Sequence, residues 1–167
     1  MQEDAVWRDL KNELNKTEWM TGVDERRKII TALFEIAPDT EAKFVYNIED
    51  RMFMCRVNIV NKFPYEEEEI ARDVFRLTDY FNRTLYFSRL LISTRDVHYF
   101  DIVLHFSSPL LVNLIEASSI NGQVYWHYSC ARDIYQTFQK LIHYGEDPEV
   151  LIGDFLKTIK MRQTPQN

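Results

Sequence analysis

Glycine and proline are scarce in this chain of 167 residues, with 4 of one and 5 of the other. That leaves little material for long irregular loops or for glycine-rich turns that cradle phosphate. Cysteine is scarcer still: Cys55 and Cys130 are the only two. Two cysteines make no disulfide framework, which suits a reducing compartment. Cys55 shares a period of two with Phe53, Val57 and Ile59, so it reads as a small buried hydrophobe. No apolar run approaches the roughly 20 residues needed to cross a bilayer. The opening Met1-Gln2-Glu3-Asp4 is acidic and lacks the apolar stretch of a secretion signal. The expectation is a soluble, cytoplasmic protein without a membrane partner, in which the N-x-Thr sequons at Asn15 and Asn82 have no meaning.

An excess of positive charge is also missing, since 20 basic residues face 26 acidic ones for a net charge of −6. An acidic chain with scattered basic residues repels phosphate backbones, so no nucleic-acid partner is expected. Arg26-Arg27-Lys28 and the trio Lys157, Lys160 and Arg162 are the only local concentrations, and both read as solvated helix surface or helix ends. What the chain does have is material for a core: 46% hydrophobic and 14% aromatic residues, including 11 Phe and 9 Tyr. Those values exclude a disordered chain and fit one domain over residues 1–167.

Periodicity assigns the elements. Val6, Leu10 and Leu14, with Trp7, predict a first helix. Asp24 as a cap and the face Ile29, Ile30, Leu33 and Phe34 predict a second, ended by Pro38-Asp39, so that residues 1–37 hold two N-terminal helices. A hairpin follows, Lys43–Ile48 and Arg51–Val60 alternating around Glu49-Asp50. Pro64–Phe81 places Ile70, Val74, Leu77 and Phe81 on one helical face. Leu85–Ile92 and Val97–Phe106 alternate around Ser93–Asp96 as a second hairpin. Residues 110–116 fit strand or helix equally, and Ser118–Gly122 reads as a break. From Val124 the spacing Val124, Tyr128, Ala131, Tyr135, Phe138 and Ile142 is helical; Gly145 closes that helix, and Asp147-Pro148 opens a last one. Residues 163–167 form a frayed tail. The expected fold class is α+β, a single antiparallel sheet built from two hairpins in the order α-α-β-β-α-β-β-α-α. Its helices lie mainly on one face, over a sheet of about four to six strands.

No Walker loop, dinucleotide glycine fingerprint, nucleophile elbow, CxxC or HExxH is present. Glu66-Glu67-Glu68-Glu69 resembles a metal site only superficially: carboxylates in a first turn suit the helix dipole, and Glu68 can reach Arg72 at i+4. His98 and His105 have opposite parity on one strand, and His127 and His143 point to nearly opposite sides of one helix. His127 and Cys130, one turn apart, are the weak reactive-site candidates, since a paired imidazole could activate a thiol. Against that stands a thiol and an imidazole that merely pack beside Trp126 and Tyr128. No cofactor or metal is expected.

Phe44–Val60, the helix Glu66–Phe81 running through Asn82-Arg83-Thr84-Leu85-Tyr86-Phe87, the strand Val97–Phe106, and Leu141–Gly145 followed by Asp147-Pro148 form a recognisable series. Over about residues 42–160 it resembles the YbjN-like family of bacterial proteins, which are built like type III secretion chaperones. The resemblance implies a non-enzymatic regulatory or chaperone-like protein that often self-associates, and it supplies no catalytic residues. The expected function is therefore an intracellular interaction protein that binds a protein partner, with pairing into a homodimer as a further expectation. The partner-binding candidates are Ala71, Phe75, Asn82 and Tyr99, the first three adjacent on one side of the helical wheel, away from the Ile70 stripe. The alternative is a small-molecule-binding domain or small enzyme whose site is assembled from residues no motif flags, such as Arg89, His98, Tyr99 and Asp101.

Overall fold

The computed structural model of the protein describes residues 2–64, 68–85, 88–94, 99–109 and 117–163. Its elements follow in the order α1 (Gln2–Lys16), β1 (Met20–Asp24), β2 (Ile29–Ala37), β3 (Thr40–Glu49), β4 (Met52–Pro64), α2 (Glu68–Thr84), β5 (Ser88–Ser93), β6 (Tyr99–Pro109), α3 (Ala117–Tyr144) and α4 (Pro148–Gln163). The described strands form one antiparallel sheet in the order β1-β2-β3-β4-β6-β5. The first four strands make a meander. The second hairpin then joins through its return strand β6, which leaves β5 at the far edge. The expected α+β class with one antiparallel sheet is the fold observed.

The expected second N-terminal helix is a correction. Residues 20–37 are two strands, so the order is α-β-β-β-β-α-β-β-α-α. Ile30, Ala32, Phe34 and Ile36 are buried while Leu33 and Glu35 are exposed, a period of two that the apparent helical spacing of Ile29, Ile30, Leu33 and Phe34 conceals. β-branched and aromatic residues suit that half-buried pleated surface. Asp24 caps no helix; its carboxylate accepts a bond from the Arg27 backbone N–H at 3.0 Å and closes the β1–β2 connection. Pro38-Asp39 is the two-residue turn between β2 and β3, with Asp39 at φ 58°.

The β3–β4 turn is centred one residue later than Glu49-Asp50. Asp50 and Arg51 both take positive φ, 51° and 59°, the signs of a type I′ turn whose twist matches the flanking strands. β4 continues past Val60: its register against β6 shifts between Ile59 and Phe63, and Phe63 then turns inward to stack on Phe100 with centroids 5.2 Å apart. On α2, Val74, Leu77 and Phe81 are buried, as the stripe predicts, while its first member Ile70 is half-buried against the core. Ser118–Gly122 is no break, since α3 begins at Ala117 and runs through Gly122 to Tyr144. Gly145, at φ 63°, then donates its N–H to the Leu141 carbonyl at 3.0 Å. Asp147 caps α4 by accepting from the Glu149 N–H at 2.7 Å. Residues 110–116, open between strand and helix in the sequence, lie outside the described residues.

One core cluster joins the inward sides of the strands to all four helices. α3 crosses β2, β4 and β6, α2 lies over β5, and α1 and α4 pack on α3. The helices therefore occupy one face, and among the described residues no helix covers the other.

Candidate functional site

The sequence-derived partner candidates divide between the two sides of the sheet. Phe75 is 53% exposed on α2 and Ala71 is half-buried one turn before it. Asn82, two turns along the same side from Phe75, is committed to the fold: its carboxamide bonds both backbone groups of Leu90 on β5. Tyr99, 42% exposed, stands on the outward side of β6, away from the helices. Tyr99, Asp101 and Arg89 share that outward side, but Asp101 is buried while Arg89 reaches over the sheet edge to the Asn82 carbonyl at 3.3 Å. His98 lies outside the described residues.

His127 and Cys130 are both buried on α3, Cys55 is buried on β4, and the two cysteines are not joined in a disulfide. The His127 ring packs against Phe106 at 4.4 Å, Phe53 at 5.9 Å and Tyr46 at 6.0 Å. Burial in this aromatic setting pushes the imidazole down to about 3, because the cation would lose its hydration without gaining a partner. Among the described residues its Nδ1 has no hydrogen-bond partner, nor do the Tyr46 and Ser88 hydroxyls, which share one cross-strand row with Phe106 and Cys55. Burial likewise raises the Cys55 thiol and the Tyr46 phenol well above their ordinary values. A neutral imidazole brings no positive charge to a neighbouring thiol, and the His127 imidazole, the Cys55 thiol and the Tyr46 phenol keep their uncharged forms near neutral pH.

In the acidic first turn of α2, the described members Glu68 and Glu69 hold no metal cluster, and Arg72 sits 3.7 Å from Glu69 at i+3 instead of reaching Glu68. No group of three or more His, Cys, Asp or Glu among the described residues could hold a metal ion. Among them, too, no helix is long and apolar enough to cross a membrane. Of the basic run at Arg26-Arg27-Lys28, Lys28 is tied to Asp4 at 2.8 Å and Glu3 at 3.7 Å. A cleft of about 310 Å³ between α3 and α4 carries Arg132 beside Asp133 at 3.5 Å, so part of its charge is matched internally.

The helix-free face is built differently. Outward positions at β5, β6, β4, β3 and β2 line up in two adjacent rows. One row reads Leu91, Val103, Asn58, Lys43 and Leu33; the next reads Arg89, His105, Arg56, Val45 and Thr31. Leu91 is 50% and Leu33 37% exposed, whereas Val103 is buried between its neighbours. Burial lowers the His105 imidazole below its ordinary value, and the adjacent Arg56 charge adds to that effect. The alternation of each strand makes these outward positions legible in the sequence. Their assembly into rows depends on the pairing of β4 with β6, which no local pattern announces.

No family model matches the chain, and no curated protein matches it in sequence. In structure it is similar to YbjN from E. coli, a proposed transcription regulator, over 81% of this chain and 90% of that one. The identity is 8% and the TM-score 0.46.

Proposed function

We propose that this chain is a non-enzymatic, cytoplasmic interaction protein, chaperone-like or regulatory, that binds a protein partner through the helix-free face of its sheet. The observation that carries the reading is the one-sided layering: the helices cover one face while Leu33, Leu91 and Tyr99 stand exposed on the other. Isolated exposed apolar residues are ordinary, but several on one uncovered sheet face form a surface on which a partner gains by excluding water. The two buried cysteines, not joined in a disulfide, suit a reducing compartment. Pairing through α2 belongs to the same reading, because Phe75 projects from it with the smaller Ala71 beside it.

Site-specific photocross-linking in cells tests the face. A photoreactive residue at Leu91 should trap a discrete partner, whereas one at Val150, exposed on α4 in the helical layer, should not. Equal labelling from both positions would refute the face as the docking surface.

A further inference from the structure

Many cations of this acidic molecule sit against carboxylates: Lys11 lies 2.7 Å from Glu25, Lys28 2.8 Å from Asp4, Arg76 3.2 Å from Glu149 and Arg83 2.6 Å from Asp79. On the outward side of the sheet Lys43, Arg56 and Arg89 have no such partner among the described residues. Arg56 and His105 are cross-strand neighbours on β4 and β6, and Arg89 is the next position on β5 with its guanidinium over the sheet edge. No carboxylate among the described residues pairs with any of the three. The Arg56 Nε donates to the Asn58 side-chain oxygen at 3.2 Å and the Arg89 Nη1 to the Asn82 carbonyl at 3.3 Å, both uncharged acceptors. The Arg56 and Arg89 charges are thus balanced by no carboxylate among the described residues, and an external anion near them is favoured. Leu91 and Val103 lie two residues along the same strands, about 7 Å away, so apolar surface borders the cationic row.

We propose that the helix-free face binds an acidic, partly apolar peptide segment of a partner protein, with Arg56 and His105 taking its carboxylates and Leu91 its apolar side chains. This rests on the reading of that face as an interaction surface and adds the partner's chemistry. A peptide is favoured over a nucleic acid because the exposed Leu91 and its buried neighbour Val103 offer contacts to apolar side chains and nothing to a phosphate backbone. A carboxylate seated beside His105 draws the imidazole back toward its charged form. Binding then takes up a proton, and affinity rises as pH falls while the peptide's own carboxylates remain ionised. The charged group facing His105 is Arg56 on β4, with Arg89 of β5 turned over the sheet edge; both are permanently cationic, so the response belongs to His105.

Fluorescence anisotropy at low salt tests this with three labelled probes: a peptide alternating glutamate and leucine, its lysine–leucine counterpart, and a single-stranded oligonucleotide. The acidic peptide should bind best, lose about tenfold in affinity on Arg56→Glu, and lose less on Arg56→Gln. Its affinity should rise from about pH 7.5 to about pH 6 in the wild type and stay flat in His105→Gln. Affinity that ignores both Arg56 substitutions overturns the proposal, as does tighter binding of the oligonucleotide. If the Leu91 cross-link forms but the acidic peptide does not bind, the face remains an interface and the acidic partner alone is refuted.

Discussion

The side chain of Asn82 pairs with the backbone of Leu90 as a neighbouring strand would: Oδ1 accepts the Leu90 N–H at 2.8 Å, and Nδ2 donates to the Leu90 carbonyl at 2.9 Å. Leu90 sits on β5, the edge of the sheet, where such backbone groups otherwise stand open to pairing with another chain. The last turns of α2 thus blunt the edge with one carboxamide. Asn82→Ala should cost about 1–3 kcal/mol in urea unfolding, the range for stranding partly buried polar groups. Asn82→Asp, which keeps the acceptor and loses the donor, should also destabilise; wild-type stability in both variants would show that water replaces the amide fully.

Acid should destabilise the protein through His127. Its imidazole titrates near 6.5 when unfolded and at about 3 when buried, so the unfolded chain binds the extra proton between those values. The contribution is fully present above the unfolded value and declines as pH falls toward the folded one, by about 1.4 kcal/mol per pH unit. A His127→Leu variant should show a flatter stability profile between about pH 6.5 and about pH 3 than the wild type. Parallel profiles would mean that the ring reaches solvent.

Gly122 lies inside α3, and a Cβ added there meets nothing within 4 Å. Gly122→Ala should therefore stabilise by about 0.5–1 kcal/mol, through helix propensity and a less flexible unfolded chain. A loss of stability on thermal unfolding would contradict the open space around that position.

Ile102 is fully buried on β6, on the side that faces the helices. Ile102→Ala should cost about 2–5 kcal/mol in chemical denaturation. The outward neighbour His105 should tolerate Gln within about half a kilocalorie, so similar costs at the two positions would deny the face assignment.

Phe75 gives the test of self-association. If α2 packs on its own copy, the contact is isologous and one substitution alters it twice. Phe75→Glu should turn a dimer into a folded monomer in light scattering. A wild type that remains monomeric at high concentration would end that idea while leaving the helix-free face untouched.

Local rules carried the sequence reading far. The first hairpin, the stripe Ile70, Val74, Leu77 and Phe81, and the stop and restart at Gly145 and Asp147-Pro148 are each written in a few consecutive residues, and each appears in the fold. The hairpin's turn, which the pattern placed at Glu49-Asp50, lies one residue later in the fold. At Ile29–Phe34 two periods competed, and the pairing of Ile30 with Tyr46 and Phe34 with Ala42 decided for strand, because burial against β3 outweighs a weak helical pattern. The candidate site divides the same way. The sequence by itself determined that Arg56, Leu91 and His105 point away from the core, since parity within a strand is local. Only the tertiary structure set them side by side, by pairing β4 with β6 across a long intervening stretch of chain; register between distant strands is fixed by the shared buried face and not by either strand alone.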